Sequence, residues 1–377
     1  MAKITEYTNS KGKFYRFRVY VGIDEQTGKK KYVKRAGFKT KADAKKALVK
    51  LEYAIANGDY FKPIQASTVR DVYLIWIEQY KLTVKASSLF NAKRIFDKHI
   101  LPALGSYNVN KLPIGVCQKA VNDWAKDCPS MVRLIKVYAS LLLKYAIKLE
   151  LASRNPFTDT VIPRTEKEEK KNFLDGNELN KFLEIVSKKG LKQLAVFRLL
   201  AYSGMRIGEM LALTWDDVNF TDNTIGINKT QTKNEKGKII ISDPKTKTSK
   251  RVLDMDVETM QILHRWKVSQ ASYLLKQGIN ATQAGQLVFS NKCNDLLSPH
   301  TVRGWYNRIA KTNDLPRITL HGFRHTHATL LFSAGASVKE VQTRLGHSNV
   351  TTTLDIYTHL TRQDQKETIQ KLVRFLG

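Results

Sequence analysis

The chain has 377 residues, 42% of them hydrophobic, which is enough for two or three domains with real cores and excludes global disorder. Its 63 Lys and Arg against 34 Asp and Glu give a formal charge of +29, which favours a polyanionic partner. The charge clusters: the first fifty residues carry 15 basic and 4 acidic side chains, a net of +11.

Residues 1–60 read as a small unit. Lys13-Phe14-Tyr15-Arg16-Phe17-Arg18-Val19-Tyr20-Val21 alternates cationic with aromatic or branched residues, as a two-faced strand does. A turn at Asp24-Glu25-Gln26-Thr27-Gly28 leads into a second strand, Lys29-Lys30-Lys31-Tyr32-Val33-Lys34-Arg35. Thr40-Lys41-Ala42-Asp43 then opens a helix through about Ala56, a capping-box pattern with Asp in place of Glu. Basic side chains on such a sheet suit a DNA groove, so Arg16, Arg18, Lys29, Lys30, Lys31, Lys34 and Arg35 are candidate DNA contacts. The same lysines would also protect a sheet edge against aggregation.

Phe61-Lys62-Pro63-Ile64 reads as a linker. An all-helical domain is expected over 67–155. Its first helix covers 70–80, with Val72, Leu74, Ile75 and Ile77 at helical spacing. A second runs from Ser87 to Ile100, stopped by Pro102 and Gly105; a third covers about 114–126. The fourth, Met131 to Leu149, is apolar along one side and ends before Asn155-Pro156.

Residues 161–172 form a charged second linker. The remainder, 173–377, reads as a mixed but mainly helical domain, so the fold class is multidomain α+β. Asp175 and Glu178 cap its first helix. Short strands are expected near 224–228, 238–242 and 251–255. Helices are expected near 256–276, 299–311, 322–333, 337–345 and 351–359.

This last domain holds an ordered set of reactive side chains. Arg206 follows Ser203-Gly204-Met205 at a break between helices 191–202 and 207–213, where a glycine turn would present a side chain and backbone N–H groups to phosphate. In His321-Gly322-Phe323-Arg324 the spacing of three puts His321 and Arg324 on one helix face. His347 follows Gly346 at a helix end, and Tyr357 lies on the next helix. Each alone has a bland reading: a solvated arginine, a packed histidine, a half-buried core tyrosine. Together they are a kit for attack on a phosphodiester by a phenolic oxygen. Such chemistry needs an in-line nucleophile, cations to neutralise a phosphorane-like transition state, and a proton for the leaving 5′-hydroxyl. Arginine suits the second task because its planar fork stays charged and contacts two oxygens at once.

The set Arg206, His321–Arg324, His347 and Tyr357, in the settings Ser-Gly-Met-Arg-Ile-Gly-Glu, His-Gly-Phe-Arg-His-Thr and Leu-Gly-His, resembles the tyrosine recombinase family. These are the integrases of temperate phages and integrative elements. Residues 1–60 resemble their arm-type DNA-binding domain and 67–155 their SAM-like helical core-binding domain, so almost the whole chain is covered. The resemblance implies a site-specific DNA recombinase with Tyr357 as nucleophile, a 3′-phosphotyrosyl intermediate, and Arg206, Arg324 and His347 around the phosphate, with His321 assisting proton movement. It also implies a general-acid lysine on a β-hairpin. Within Pro244–Leu253, Lys247 fits best by its distance before Val252-Leu253, with Lys245 as the other candidate.

The implied partners are core and arm attachment sites on double-stranded DNA, three further copies in a homo-tetramer on DNA, and, as candidates, a host bending protein and an excision factor. The helix expected after Tyr357 suits packing on a neighbouring protomer or on its own domain. No cofactor and no metal are expected. With no secretory signal, no bilayer-length apolar run, and Cys117, Cys128 and Cys293 lacking metal-type spacing, the expected setting is the cytoplasm of a bacterial host, with no membrane partner. Three other readings compete. A metal-dependent nuclease would use the histidines, but His325 and His327, two apart, point to opposite sides of a helix and no carboxylate motif joins them. A non-catalytic DNA-binding regulator leaves the ordered set unexplained. A type IB topoisomerase shares the chemistry but not the arm-like unit.

Overall fold

Alternation along the first strands sets the N-terminal sheet. Strands β1 (Ile4–Asn9), β2 (Gly12–Ile23) and β3 (Lys30–Phe38) pair antiparallel in that order. Phe17 and Val19 point to one face, where Ala44 and Leu48 of helix α1 (Lys41–Ala56) cover them. Arg16, Arg18 and Tyr20 alternate onto the other face and stay exposed. The Thr40 oxygen caps α1 by accepting the Asp43 N–H at 3.1 Å, and the Thr40 hydroxyl donates to the Asp43 carboxylate at 2.7 Å. The computed structural model describes residues 4–9, 12–23, 30–56, 67–164, 171–243, 250–347, 349–351 and 353–354. The expected turn at 24–28 and the linker at 61–64 lie outside them. Strand β1 was not anticipated, because Ile-Thr-Glu-Tyr-Thr-Asn buries no strong apolar run.

The helical segment follows the expected order: α2 (Val69–Thr83), α3 (Ala86–Ile95), α4 (Leu101–Leu104), α5 (Ile114–Asp127) and α6 (Val132–Lys148). The second helix differs from expectation. A π-turn at Phe96–Ile100 joins α3 to α4, so Pro102 does not stop the run. Proline sits in the first turn of α4, where its missing N–H costs little, and Gly105 ends the helix.

The described residues fall into two compact units, one drawn from 1–76, 100–123 and 139–161, the other from 77–99, 124–138 and 162–377. The second contains helices α7 (Gly176–Ser187), α8 (Leu191–Ser203), α9 (Ile207–Met210), α10 (Val257–Leu275), α11 (Pro299–Thr312), α12 (Gly322–Ser333) and α13 (Val338–Leu345). Asp175 and Glu178 form the expected capping box on α7. Strands β4 (Val218–Asn219), β5 (Thr224–Ile227) and β8 (Arg251–Asp254) make one antiparallel sheet; β6 (Thr230–Lys233) and β7 (Ile239–Ser242) make a separate hairpin. The expected strand at 238–242 therefore pairs with β6, whose polar Thr-Gln-Thr-Lys gave no apolar alternation to read.

One aromatic cluster fixes the helix that matters most. Phe323 at the start of α12 lies 5.6 Å from Phe182 of α7, 5.5 Å from Phe197 of α8 and 5.3 Å from Tyr306 of α11, ring centre to ring centre. All four are buried. Edge-on and tilted contacts of this kind add to the area term and are directional, so they set the rotation of α12 and the aim of its next residue, Arg324. Among the described residues no helix is long and apolar enough to cross a membrane. Of the helix expected near 351–359, only 351, 353 and 354 are described, and the segment after Tyr357 lies outside.

Candidate active site

Arg206 owes its position to a glycine. Helix α8 stops at Gly204, whose φ of +65° is left-handed. A Cβ there would fall 2.5 Å from His327 Cδ2 and 2.7 Å from Leu345 Cδ2, so close packing also demands glycine. The Met205 N–H donates to Ser203 Oγ at 3.2 Å, and the chain re-enters α9 with Arg206 as the residue before it.

Glu209, 2% exposed, faces back onto that turn. Its Oε2 accepts the Arg206 N–H at 2.9 Å and its Oε1 accepts Arg206 Nη1 at 2.7 Å. Arg251 Nη2 donates to Oε2 at 3.1 Å. Burial pushes this carboxyl up, but Arg251 and Arg206 outweigh it and hold the pKa below the usual carboxylate range. Of the backbone N–H groups expected to face phosphate, that of Arg206 is taken by Glu209 and that of Met205 by Ser203 Oγ. What the turn presents is the side chain of Arg206.

Arg324 is 1% exposed. Its Nη1 donates to the Gly204 carbonyl at 2.9 Å and its Nη2 to the Leu345 carbonyl at 2.8 Å. Its Nε is buried and has no hydrogen-bond partner among the described residues. Burial, then Arg206, pull its pKa down to about 9, which leaves it cationic at neutral pH. His321 stands directly before α12, open to solvent on one side, with its ring centre 4.8 Å from that of His325. Desolvation on its crowded side, then His325, Arg324 and Arg206, push its pKa down to about 4.

Helix α13 ends at Gly346, φ +69°, which turns the chain to His347. The His347 N–H donates to the Gln342 carbonyl at 3.2 Å, and Nδ1 shares a 2.8 Å hydrogen bond with Thr353 Oγ1. Desolvation, then Arg324 and Arg206, push His347 down to about 3. Arg206 is thus close enough to lower the pKa of His321, Arg324 and His347. Arg206, Arg251 and Arg324 are three guanidinium groups around the single carboxylate of Glu209. Such an imbalance favours an anion at the open side, where Arg206 keeps 39% of its side chain exposed.

Tyr357, Lys247 and Lys245 lie outside the described residues. Of the basic residues named for the sheet, Arg16, Arg18 and Lys34 share the open face: Arg18 pairs with Lys34 and Arg16 with Ala36 across β2 and β3. The Arg18 guanidinium sits 3.9 Å over Tyr32 and that of Arg16 5.2 Å over Tyr7. Lys30 is exposed. Arg35 pairs with Phe17, so it belongs to the face that α1 covers. Lys29 and the Lys31 side chain are outside the described residues. Among the described residues no three His, Cys, Asp or Glu side chains are arranged to hold a metal.

Sequence reasoning missed Arg251 and Arg344, weighed His327 only as a metal ligand, and gave Glu209 no role. The Arg206–Glu209 spacing of three was a readable signal for an ion pair. Arg251, at the end of a lysine-rich stretch, offered none.

The relatives of this chain show it to be a tyrosine-type site-specific recombinase. Residues 172–364 match the phage integrase family, 68–125 the N-terminal SAM-like domain of phage integrases, and 6–55 an arm DNA-binding domain. The chain belongs to the phage integrase family. It is 27% identical to the ICEBs1 integrase of Bacillus subtilis (strain 168), over 95% of this chain and 96% of that one. It is 30% identical to the integrase of Staphylococcus phage L54a, over 47% and 50% of the two chains. Among solved structures, the Tn1549 transposon integrase in complex with a circular intermediate DNA superposes with a TM-score of 0.67 at 22% identity, covering 81% of this chain and 100% of that one. A lambda integrase dimer bound to a COC′ core site gives 0.60 at 17% identity, covering 93% of each chain. At these identities the likeness is one of fold, and it is the multidomain α+β fold expected from the sequence.

Proposed function

We propose that this recombinase cuts and rejoins double-stranded DNA at attachment sites through a 3′-phosphotyrosyl intermediate on Tyr357, integrating and excising a phage or mobile element. The observation that carries this reading is that Arg324 bonds both the Gly204 carbonyl, two residues before Arg206, and the Leu345 carbonyl, two residues before His347, which gathers these side chains with His321 at one cation-rich opening.

Tyr357 Oη gives up its proton with help from the neutral imidazole of His321 and attacks the scissile phosphorus; the bond to O5′ breaks and the 5′-oxygen takes a proton from Lys247. Arg206 and Arg324 hold the non-bridging oxygens, where charge grows in the transition state. His321 and His347, kept neutral at pH 7, each offer one N–H and one lone pair, so they donate to phosphate or pass a proton without adding charge. The phosphotyrosyl bond replaces the phosphodiester, so rejoining to a partner strand needs no ATP. Residues 1–60 bind arm sites, 67–155 bind core sites, and 173–377 carry the chemistry. Four protomers on two duplexes exchange strands, in a bacterial cytoplasm, with a host bending protein and an excision factor as further partners. Supporting this are a lambda integrase tetramer solved on a Holliday junction, TM-score 0.57, and the arm-domain match.

The test is a nicked duplex of the cognate site, from which the cleaved end diffuses away. Wild-type protein should be trapped covalently on DNA and Tyr357→Phe should not. An adduct formed by Tyr357→Phe would move the nucleophile elsewhere.

A further inference from the structure

Arg344, in the last turn of α13, bonds three other elements near the site. Its Nε donates to His327 Nε2 in α12 at 3.0 Å. Its Nη2 donates to the Tyr202 carbonyl near the end of α8 at 3.2 Å and to the Asp254 carbonyl at the end of β8 at 3.1 Å. His327 Nδ1 in turn meets the Ala201 carbonyl at 2.8 Å, so Nδ1 carries the proton and Nε2 is free to accept from Arg344.

The turn that Arg344 fixes is the one the reactive arginines lean on. Its own carbonyl accepts Arg251 Nε at 2.9 Å, and the next carbonyl, Leu345, accepts Arg324 Nη2 at 2.8 Å. Both carbonyls belong to the last turn of a helix, its negative end, where backbone acceptors lack intrahelical donors. Arg251 reaches on to Glu209, which holds Arg206. His347 begins two residues later. A shift of this turn therefore moves Arg324 directly, Arg206 through Arg251 and Glu209, and His347 through the backbone.

We propose that Arg344 is a positioning residue: its forked guanidinium ties the last turn of α13 to α8, α12 and β8, and that turn sets the aim of the two arginines that receive the scissile phosphate. The proposal rests on the recombinase reading above. A lysine would supply the charge, but its three donors sit on one nitrogen and cannot span the partners that Arg344 reaches through Nε and Nη2.

The experiment measures single-turnover adduct formation on the nicked cognate duplex, alongside duplex affinity, for wild type, Arg344→Met and Arg344→Lys. Both variants should bind DNA within about twofold of wild type. Arg344→Met should form adduct roughly 10- to 100-fold more slowly, the scale of loss that a 1 Å misplacement produces. Arg344→Lys should remain slowed several-fold. The deciding substrate carries a methylphosphonate at the scissile position. That phosphate is neutral and needs no paired guanidinium groups, so the gap between variant and wild type should close to within about threefold. Wild-type adduct rates in Arg344→Lys overturn the proposal, and so does a gap that persists on methylphosphonate, which would mean general structural damage. If Arg344→Met fails to fold, Arg344→Lys decides alone. Failure of wild type itself to form adduct would instead strike the recombinase reading.

Discussion

Glu209 grips Arg206 twice, through the backbone N–H at 2.9 Å and through Nη1 at 2.7 Å, while Arg251 lies 3.1 Å from the same carboxylate. The carboxylate is almost fully buried, and Arg251 keeps only 8% of its side chain exposed. Removing one member of such a cluster leaves uncompensated charge in a low-dielectric setting, at a cost of about 3–5 kcal/mol. Glu209→Ala should therefore melt about 10 °C below wild type, given the usual entropy of unfolding for a domain of this size. A thermal scan showing a drop of only one or two degrees would mean that water or a rearranged partner replaces the carboxylate.

Gly204 makes a second, sharper demand. Any side chain there adopts a left-handed backbone and drives a Cβ into His327 and Leu345. Strain and overpacking each cost on the order of 1–3 kcal/mol. Gly204→Ala should lose roughly 2–4 kcal/mol in urea titration and should also slow cleavage, because Arg324 bonds to the Gly204 carbonyl. Wild-type stability in this variant would show that the α8–α9 turn relaxes freely.

These two positions also mark what the sequence made legible. Gly204, Arg206, His321, Arg324 and His347 could be picked out because each sits at a helix boundary that glycine or capping residues announce. The helices at Val257–Leu275, Pro299–Thr312, Gly322–Ser333 and Val338–Leu345 match those expected from the sequence, whereas the one expected over 207–213 ends at Met210. Arg251 and Arg344 could not be read, since their partners are backbone carbonyls, the His327 imidazole and a carboxylate 42 residues from Arg251, contacts that no local period encodes. Strands β1 and β6 escaped for a related reason: Thr, Asn, Gln and Lys in a short strand look like loop until a neighbour pairs with them. Pro102 misled because proline breaks a helix interior but not a first turn.

His327 makes stability depend on pH. Burial, then Arg344, lower its pKa to about 4 against an unfolded value of 6.5. The unfolded chain therefore takes up a proton between those values and the folded chain does not. Stability is full above about pH 6.5 and falls as the pH drops toward 4, by roughly 3 kcal/mol from this residue at the limit. His321 and His347 act in the same direction. Urea midpoints recorded from pH 7 to 4.5 should fall for wild type and fall less steeply for His327→Gln. Parallel curves would show that His327 is not a source of the slope.

The two faces of the N-terminal sheet separate candidates that looked equivalent in sequence. Arg18 lies on the open face with its guanidinium stacked over Tyr32, whereas Arg35 pairs with Phe17 on the face that α1 covers. Stacking holds the Arg18 fork in place before DNA arrives, so less side-chain freedom is lost on binding. A forked contact to a guanine edge contributes about 1–3 kcal/mol, whereas a rim charge contributes mainly a salt-dependent attraction. Arg18→Ala should weaken arm-site binding at least tenfold and relax preference for that site over random duplex. Arg35→Ala should cost about threefold or less and leave the preference intact. Anisotropy titrations on both duplexes at two salt concentrations would separate the effects. Equal losses for the two variants would place DNA along the sheet edge instead of across its open face.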